Sequence, residues 1–362
     1  MAVAGDDPVR PGGVLRQRGP GMLSESPPFW WQPADLRAWL LWPASFIYGA
    51  VAARAMRDGR REPVPAPVLC VGNLTVGGAG KTPVAAAMAE AAREAGRTPG
   101  ILSRGHGGSF SGVHIVDAEH DSARHVGDEP LLLARHAPVA VSIDRAAAAR
   151  TLISEGCDFL IMDDGFQSAR ILIDFALIVV DGGRGIGNGH VIPGGPLRAP
   201  VVEQMRYADA VLRLGQGAGA AAVVRQAARS AKPFFEATTV TLDGDRLAGR
   251  RFIAFAGIGD PSKFFRSARE AGAEIVVERP FPDHYAYSDE DLMDLVREAD
   301  KQALGLLTTA KDAVRIRHGS SFEEEVSKRL ETLEIEVAFV APSVPAHIIS
   351  QTIEAWRKRG GD

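Results

Sequence analysis

Cysteine is scarce. The 362 residues contain two, Cys70 and Cys157, too few for a disulfide framework and in keeping with a reducing compartment. Positive charge is not in excess: the formal net charge is −4, which excludes a global attraction to nucleic acid and leaves only local basic patches open. No N-terminal stretch reads as a cleavable secretory signal. No internal repeat is present, and low complexity is confined to the N-terminal tail and the Ala/Gly stretch 216–222. A clean bilayer span needs about 20 apolar residues. The apolar N-terminal region has 16 uncharged residues between Arg37 and Arg54, and Pro43 interrupts them. What remains is ordinary for a globular enzyme: 46% apolar and 24% charged residues, with a length that suits roughly two to three domains.

Residues 1–21 are rich in Gly, Pro and Arg and read as a disordered extension, with Met1 and Met22 both open as the start. Over 22–64 the composition changes. Trp30, Trp31, Trp39 and Trp42 crowd into it, and Arg54, Arg57, Arg60 and Arg61 follow. Aromatic and apolar residues backed by arginines suit a helix lying in a membrane interface, its tryptophans at headgroup depth. The competing reading is a soluble helix whose tryptophans are core.

From residue 65 apolar runs alternate with helical stretches: "PVLCVGN", "GILSRG", "PVAVSI", "DFLIMDDG", "FALIVVDG" and "ADAVLRLG". Buried strands separated by helices predict an α/β fold, a mostly parallel sheet covered by helices on both faces. This first domain is expected over 65–236. β-rich residues around "LDGD" predict a β-hairpin linker over 237–250. A second, smaller α/β lobe is expected over 251–362, ending in a closing helix at 344–359.

Thr75-Val76-Gly77-Gly78-Ala79-Gly80-Lys81-Thr82 follows the first strand and opens a helix, with Pro83 in its first turn. This is a P-loop with one departure: Thr75 stands where the motif has its first Gly. Residues 75–82 are expected to cradle the phosphates of a nucleotide. Lys81 would reach the β- and γ-phosphates, and the Thr82 hydroxyl would bind Mg²⁺.

Asp163 and Asp164 end a buried strand, where ligands of doubly wound sheets bind; at least one is expected to hold Mg²⁺, with capping of the following turn open for the other. Two adjacent carboxylates repel unless a cation sits beside them. Asp128 and Glu129 of "VGDEP" precede a helix, and spacing alone favours capping over catalysis. Asp283 and His284 of "FPDHYAY", on spacing alone, read as a surface pair.

In order, "PFWW…LLWPASFIYG", "VGNLTVGGAGKTP", "LSRGHGG", "VGDEP", "DDGFQ", "GNGHVIPGGPLRAP", "AGIGDPSKFF", "FPDHYAY" and "TTAKDAVR" resemble the tetraacyldisaccharide 4′-kinase family of lipid A biosynthesis, over about residues 28–345. The resemblance implies transfer of the γ-phosphoryl of ATP to the 4′-hydroxyl of a tetraacylated glucosamine disaccharide 1-phosphate, giving lipid IV-A. It implies work at the cytoplasmic leaflet of the inner membrane of Gram-negative bacteria, with the N-terminal helix as a peripheral anchor. It implies two α/β lobes with ATP in their cleft, and neither a nucleic acid nor a protein partner. By the same resemblance the nucleotide held by residues 75–82 is ATP, and Asp163 and Asp164 both organise Mg²⁺. Likewise Asp128 is the catalytic base and His284 its partner, Lys81 acts in catalysis, and Arg104 contacts phosphate.

Three departures stand out. Ser168 follows "DDGFQ" where the family usually has His, His106 replaces a Tyr, and Ala199 replaces a frequent Glu. Rival readings are a guanine-nucleotide switch, a soluble ATP-dependent ligase or ATPase whose tryptophan segment binds a partner, and an inactive scaffold. The switch needs N/T-K-x-D, whereas Lys311 and Asp312 are adjacent. The scaffold has no reason to keep Lys81, Thr82, Asp128, Asp163 and His284 together.

Overall fold

The computed structural model describes residues 26–168, 170–242, 244–317, 326 and 328–360. The tail expected to be disordered over 1–21, and Met22, lie outside them.

Among the described residues two sheets form. Strands of the first are β1 (Val68–Asn73), β2 (Pro99–Ser103), β3 (His114–Ile115), β4 (Val139–Val141), β5 (Phe159–Asp163), β6 (Phe175–Asp181), β7 (Ala210–Leu214) and β8 (Phe234–Thr241). The second has β9 (Arg251–Ala256), β10 (Glu274–Pro280), β11 (Gly305–Thr309) and β12 (Leu330–Leu333). A last strand, β13 (Ile335–Phe339), returns to the first sheet. The orders are β13-β8-β7-β6-β1-β5-β2-β4-β3 and β10-β9-β11-β12. Only the outer pairs β13–β8 and β3–β4 run antiparallel. β1, β2, β5 and β6 are buried along their whole lengths, as their Val, Ile and Leu runs require when helices cover both faces.

The N-terminal segment forms α1 (Leu36–Leu40) and α2 (Trp42–Asp58), broken near Pro43. Next come α3 (Lys81–Glu94), α4 (Ala123–Val126), α5 (Asp128–Leu133), α6 (Arg145–Ser154), α7 (Val201–Tyr207), α8 (Ala221–Arg229) and α9 (Gly244–Leu247). The second lobe carries α10 (Pro261–Glu270), α11 (Asp289–Gln302) and α12 (Ala310–Ile316), and the closing helix is α13 (Val344–Lys358). Residues of α3, α5 and α13 pack on one face of the large sheet, and those of α6, α7 and α8 on the other.

The α/β expectation holds, and two boundaries differ from the sequence reading. The hairpin expected around "LDGD" is absent: β8 pairs with β13, Val240 opposite Glu336, and β9 belongs to the other sheet. β-rich composition marks a strand but does not choose its partner. The closing helix packs on the first lobe, against α3, β1 and β6, with Ile348 and Ile349 buried there. Arg359 fastens its end to Asp174, Nε to Oδ1 at 2.5 Å. The second lobe is therefore an insertion, left along β8 and closed by β13.

α2 is inside out for a soluble helix. Its small residues Ser45, Gly49 and Ala53 face the lobe; Gly49 lies against Pro200 and Val191, and the Ser45 hydroxyl accepts from Gly194 N–H at 2.9 Å. Its large residues Trp42, Phe46, Ile47 and Val51 are exposed, as are Leu36, Trp39 and Leu40 of α1. Trp30 departs from the interfacial reading: it is buried and donates from Nε1 to the Pro193 carbonyl at 3.0 Å. Trp31 lies under the Arg184 guanidinium, 5.2 Å from its ring centre. No helix among the described residues is long and apolar enough to cross a membrane.

Candidate active site

β1 delivers the chain, buried, to Asn73, and α3 starts at Lys81. Between them Gly77 and Gly80 hold φ of +90° and +81°, a region that side chains with a Cβ rarely enter. At Gly80 a Cβ would also stand 2.3 Å from Leu214 Cδ2. Thr75 is different. It bridges to Leu197, and Val76 N–H donates to Pro196 O at 2.9 Å. Its backbone is not left-handed, so the absent first Gly is no loss. Lys81 and Thr82 are buried in the first turn of α3, where free N–H groups and the helix dipole favour an anion.

Register places Asp163 beside Val71, level with the entry to the loop. Its Oδ1 is buried without a hydrogen-bond partner. Burial, with the charge of Glu129 adding to it, pushes its pKa up to about 7. A buried carboxylate without a partner is costly. A divalent cation at this oxygen would remove that cost, so Asp163, with the Thr82 hydroxyl, fits Mg²⁺.

Asp164 separates from its neighbour. It turns at φ +52° and takes Arg198 Nη1 and Nη2 at 2.5 and 2.8 Å, with Lys81 Nζ 3.5 Å away. Burial opposes its ionisation, but Lys81 and Arg198 bring its pKa down to about 2. Arg198 also donates from Nε to Thr75 O at 3.0 Å and from Nη1 to Gln167 Oε1 at 3.2 Å, while Gln167 Nε2 reaches Asn73 O at 2.7 Å. "DDGFQ" and "GGPLRA" thus brace the P-loop, and Asp164 belongs to that brace.

Asp128, the first residue of α5, meets the second lobe. Arg315 donates to its Oδ2 from Nε at 2.9 Å and again from Nη2. His284 Nδ1 is 3.4 Å from the same oxygen. Burial works to raise the Asp128 pKa, yet the His284 hydrogen bond and the charges of Lys311 and Arg315 hold it far below the usual carboxylate range. The hydrogen bond to Asp128 raises the pKa of His284 in turn. His284 sits at φ +56°, pinned by its N–H to Gly257 O at 3.0 Å. Lys311 Nζ reaches Glu129 Oε1 at 2.6 Å. Arg315 is fixed from behind by Asp312 Oδ1 at 2.8 Å and Gly257 O at 2.6 Å. Charges of Glu129, Lys81 and Lys311 all act on Asp163, so the loop, the acidic strand end and the Asp128 cluster form one electrostatic unit.

Arg315, Lys311, Glu129, Arg198 and Asp312 were not singled out from the sequence as site residues. A usable signal existed in "TTAKDAVR": Lys311 and Arg315 are spaced i, i+4 and share a face of α12. Arg104 is exposed, and its charge acts on Arg145, whose pKa burial lowers to about 10. His106 and Ser168 are exposed, Ser168 Oγ bonding Gly165 O at 2.7 Å. Ala199 is fully buried in apolar packing.

Residues 37–354 match the sequence profile of LpxK, tetraacyldisaccharide-1-P 4′-kinase. The chain belongs to this family. A tetraacyldisaccharide 4′-kinase of Mesorhizobium japonicum is 58% identical over 339 residues, 93% of this chain and 99% of the relative. Another, from Chelativorans, is 52% identical over 336 residues, 93% and 98% of the two chains. One from Brucella suis is 53% identical over 338 residues, 93% and 99%. Among solved structures, the crystal structure of LpxK from Aquifex aeolicus in complex with ATP superposes with a TM-score of 0.68 at 26% identity, covering 88% of this chain and 99% of that one. As a member of the LpxK family the chain is an ATP-dependent kinase of lipid A biosynthesis. That removes the ligase reading.

Proposed function

We propose that the chain transfers the γ-phosphoryl of ATP to the 4′-hydroxyl of a tetraacylated glucosamine disaccharide 1-phosphate, giving lipid IV-A at the cytoplasmic leaflet of the inner membrane. The observation that carries the residue roles is the meeting of Asp128 with His284 and Arg315 across the two lobes, beside Lys81 and Asp163. Residues 75–82 wrap the phosphates. Lys81 carries charge to the β/γ-oxygens, and Arg198 with Asp164 keeps the loop in shape. Thr82 and Asp163 would hold Mg²⁺, which would supply neutralisation of the phosphate charge. Asp128 accepts a hydrogen bond from the 4′-hydroxyl and then its proton, and His284 orients Asp128.

The acceptor fits an open groove of about 1140 Å³ between α2 and the turn into α6. Val51, Phe110 and Ile143 line it together with Arg54, Arg60 and Arg170 and the carboxylates Asp58, Glu62 and Asp144, with Arg54 Nε 3.2 Å from Asp58 Oδ2. Asp128, His284 and Lys81 are not among its lining residues. Apolar walls suit the proximal acyl chains, and guanidiniums suit the 1-phosphate. The exposed apolar face of α1 and α2 continues this groove and suits a lipid surface. The test is transfer of label from terminally labelled ATP, with Mg²⁺, to tetraacyldisaccharide 1-phosphate in mixed micelles. Wild type labels the lipid, and Asp128→Ala and Lys81→Ala label it far less. Phosphate released to water without labelled lipid would remove both the acceptor and the roles of Asp128 and His284.

A further inference from the structure

Away from the phosphate site, β3 and α4 bring two histidines onto one carboxylate. Asp121 is buried, and its two oxygens point to different rings. Oδ2 lies 2.6 Å from His114 Nε2, and Oδ1 lies 2.8 Å from His125 Nδ1. The three ligand atoms all fall within 4.8 Å of one another. The imidazoles stand edge to face with centres 4.8 Å apart. The Asp117 N–H, donating to Asp121 Oδ2 at 2.9 Å, holds the carboxylate from behind.

We infer that His114, Asp121 and His125 form a binding site for a divalent transition ion of the Zn²⁺ class, separate from the Mg²⁺ of phosphoryl transfer. Two nitrogens and one oxygen suit Zn²⁺ or Co²⁺, whereas Mg²⁺ takes oxygen donors. Tetrahedral ligands at about 2.1 Å from zinc stand roughly 3.4 Å apart. The contacts at 2.6 and 2.8 Å then open by less than about 1 Å, which side-chain rotation supplies. Both histidines are partly exposed, so an ion can enter and a water can complete the shell.

The ion would act as a clip. It joins edge strand β3 to α4, which Gly127 alone separates from α5 and its first residue, Asp128. The His125 carbonyl also accepts from Ser109 at 2.9 Å and Phe110 at 3.2 Å, so the "SRGHGG" loop is tied to the same point. A neighbouring pair, Asp117 and His120 at 2.7 Å, has one imidazole, is highly exposed and offers an internal control.

The test uses the full chain without an affinity tag, stripped with chelator and titrated with Zn²⁺ or Co²⁺ in excess Mg²⁺. One ion per chain is expected, with the visible absorption of four- or five-coordinate Co²⁺ and a raised melting temperature. His114→Ala and His125→Ala should each weaken binding by more than the roughly 10–100-fold that loss of an outer-shell partner causes, while His120→Ala leaves it unchanged. Saturable binding that survives in His114→Ala/His125→Ala would overturn the inference, and so would a wild type that takes up neither ion. Wild-type Co²⁺ absorption decides the matter even where a variant fails to fold.

Discussion

Arg315→Met removes the charge that joins the lobes while keeping most of the side-chain volume. Arg315 and Asp128 are 7% and 8% exposed, and Asp312 is fully buried. Taking one partner from a buried ion pair costs about 3–5 kcal/mol. Asp128 keeps Lys311 and His284, and Asp312 keeps the Tyr287 and Thr309 hydroxyls, so the low end applies, about 3 kcal/mol. Unfolding entropy of about 2.1 cal/mol/K per residue gives this chain roughly 0.8 kcal/mol/K, so the melting temperature should fall by about 4 °C. Asp128→Asn in the same protein removes the stranded charge, and the double variant should regain about 1–2 kcal/mol over the additive expectation. The assay is calorimetry or urea unfolding on the four proteins of the cycle. Additivity within about 0.5 kcal/mol would show that the two groups share no bond in solution and refute the reasoning. The pH dependence has a definite sign. Asp128's folded pKa is depressed, so its contribution is present above the unfolded carboxylate pKa and is lost as pH falls toward the folded one. The gap between wild type and Arg315→Met should therefore close below about pH 4.

Lys81→Ala should lower kcat/KM by about 10²–10³-fold with little change in melting, because Asp164 keeps Arg198; activity within tenfold of wild type would remove Lys81 from the phosphate site. Asp163→Asn should stabilise the Mg²⁺-free protein most at pH 8, less at pH 5 and not at all below about pH 4. A raised folded pKa of about 7 means that the stability is full below the unfolded carboxylate pKa and is lost as pH rises through the folded one. Added Mg²⁺ should stabilise wild type and leave the variant unmoved, as read by melting curves. Phe46→Glu/Ile47→Glu changes side chains that are 64% and 65% exposed, so folding should be unaffected; sedimentation with anionic vesicles should weaken about 100-fold, at roughly 1.5 kcal/mol or more per apolar side chain withdrawn from lipid.

The parts legible in the sequence are those whose partners are near in the chain. The P-loop is strand, turn and helix in one unbroken stretch from Val68 to Glu94, and its glycines, Lys81 and Thr82 lie between the strand and the first turn of the helix, as their spacing predicts. Asp163 and Asp164 lie where expected, but their division of labour depends on Arg198, which arrives from 34 residues away. Arg315 meets Asp128 across 187 residues, and no local pattern reports such a contact. The closing helix shows the same limit. Its apolar stripe says that one face is buried and not against which sheet, and tertiary packing chose the first lobe. In α2 the stripe itself was readable, yet which face was inward was not: Ser45, Gly49, Ala53 and Met56 went in, while Trp42, Phe46, Ile47 and Val51 stayed out, the reverse of what a soluble helix does with most of its large apolar residues.

The base role proposed for Asp128 poses a last question, because a carboxylate held so far below its usual range is a weak base. Phosphoryl transfer to a hydroxyl tolerates one. Its transition state is loose in most analyses, little charge leaves the nucleophile early, and catalysis rests on positioning and charge stabilisation. Asp128 is built for position. Oδ2 is taken by Arg315 and faced by His284, while Oδ1 accepts the Glu129 N–H at 2.9 Å and has a further lone pair for the acceptor hydroxyl. The groups that fix it, His284, Lys311 and Arg315, come from the second lobe, so the carboxylate is oriented only where the lobes meet. Asp128→Asn keeps the volume and one acceptor oxygen, and Asp128→Ala keeps neither. If orientation dominates, the Asn variant should lose about 10–100-fold in kcat and the Ala variant about 10³-fold or more. Equal losses in single-turnover phosphorylation of the lipid would mean that proton acceptance carries the effect and that Arg315 must leave Asp128 before transfer.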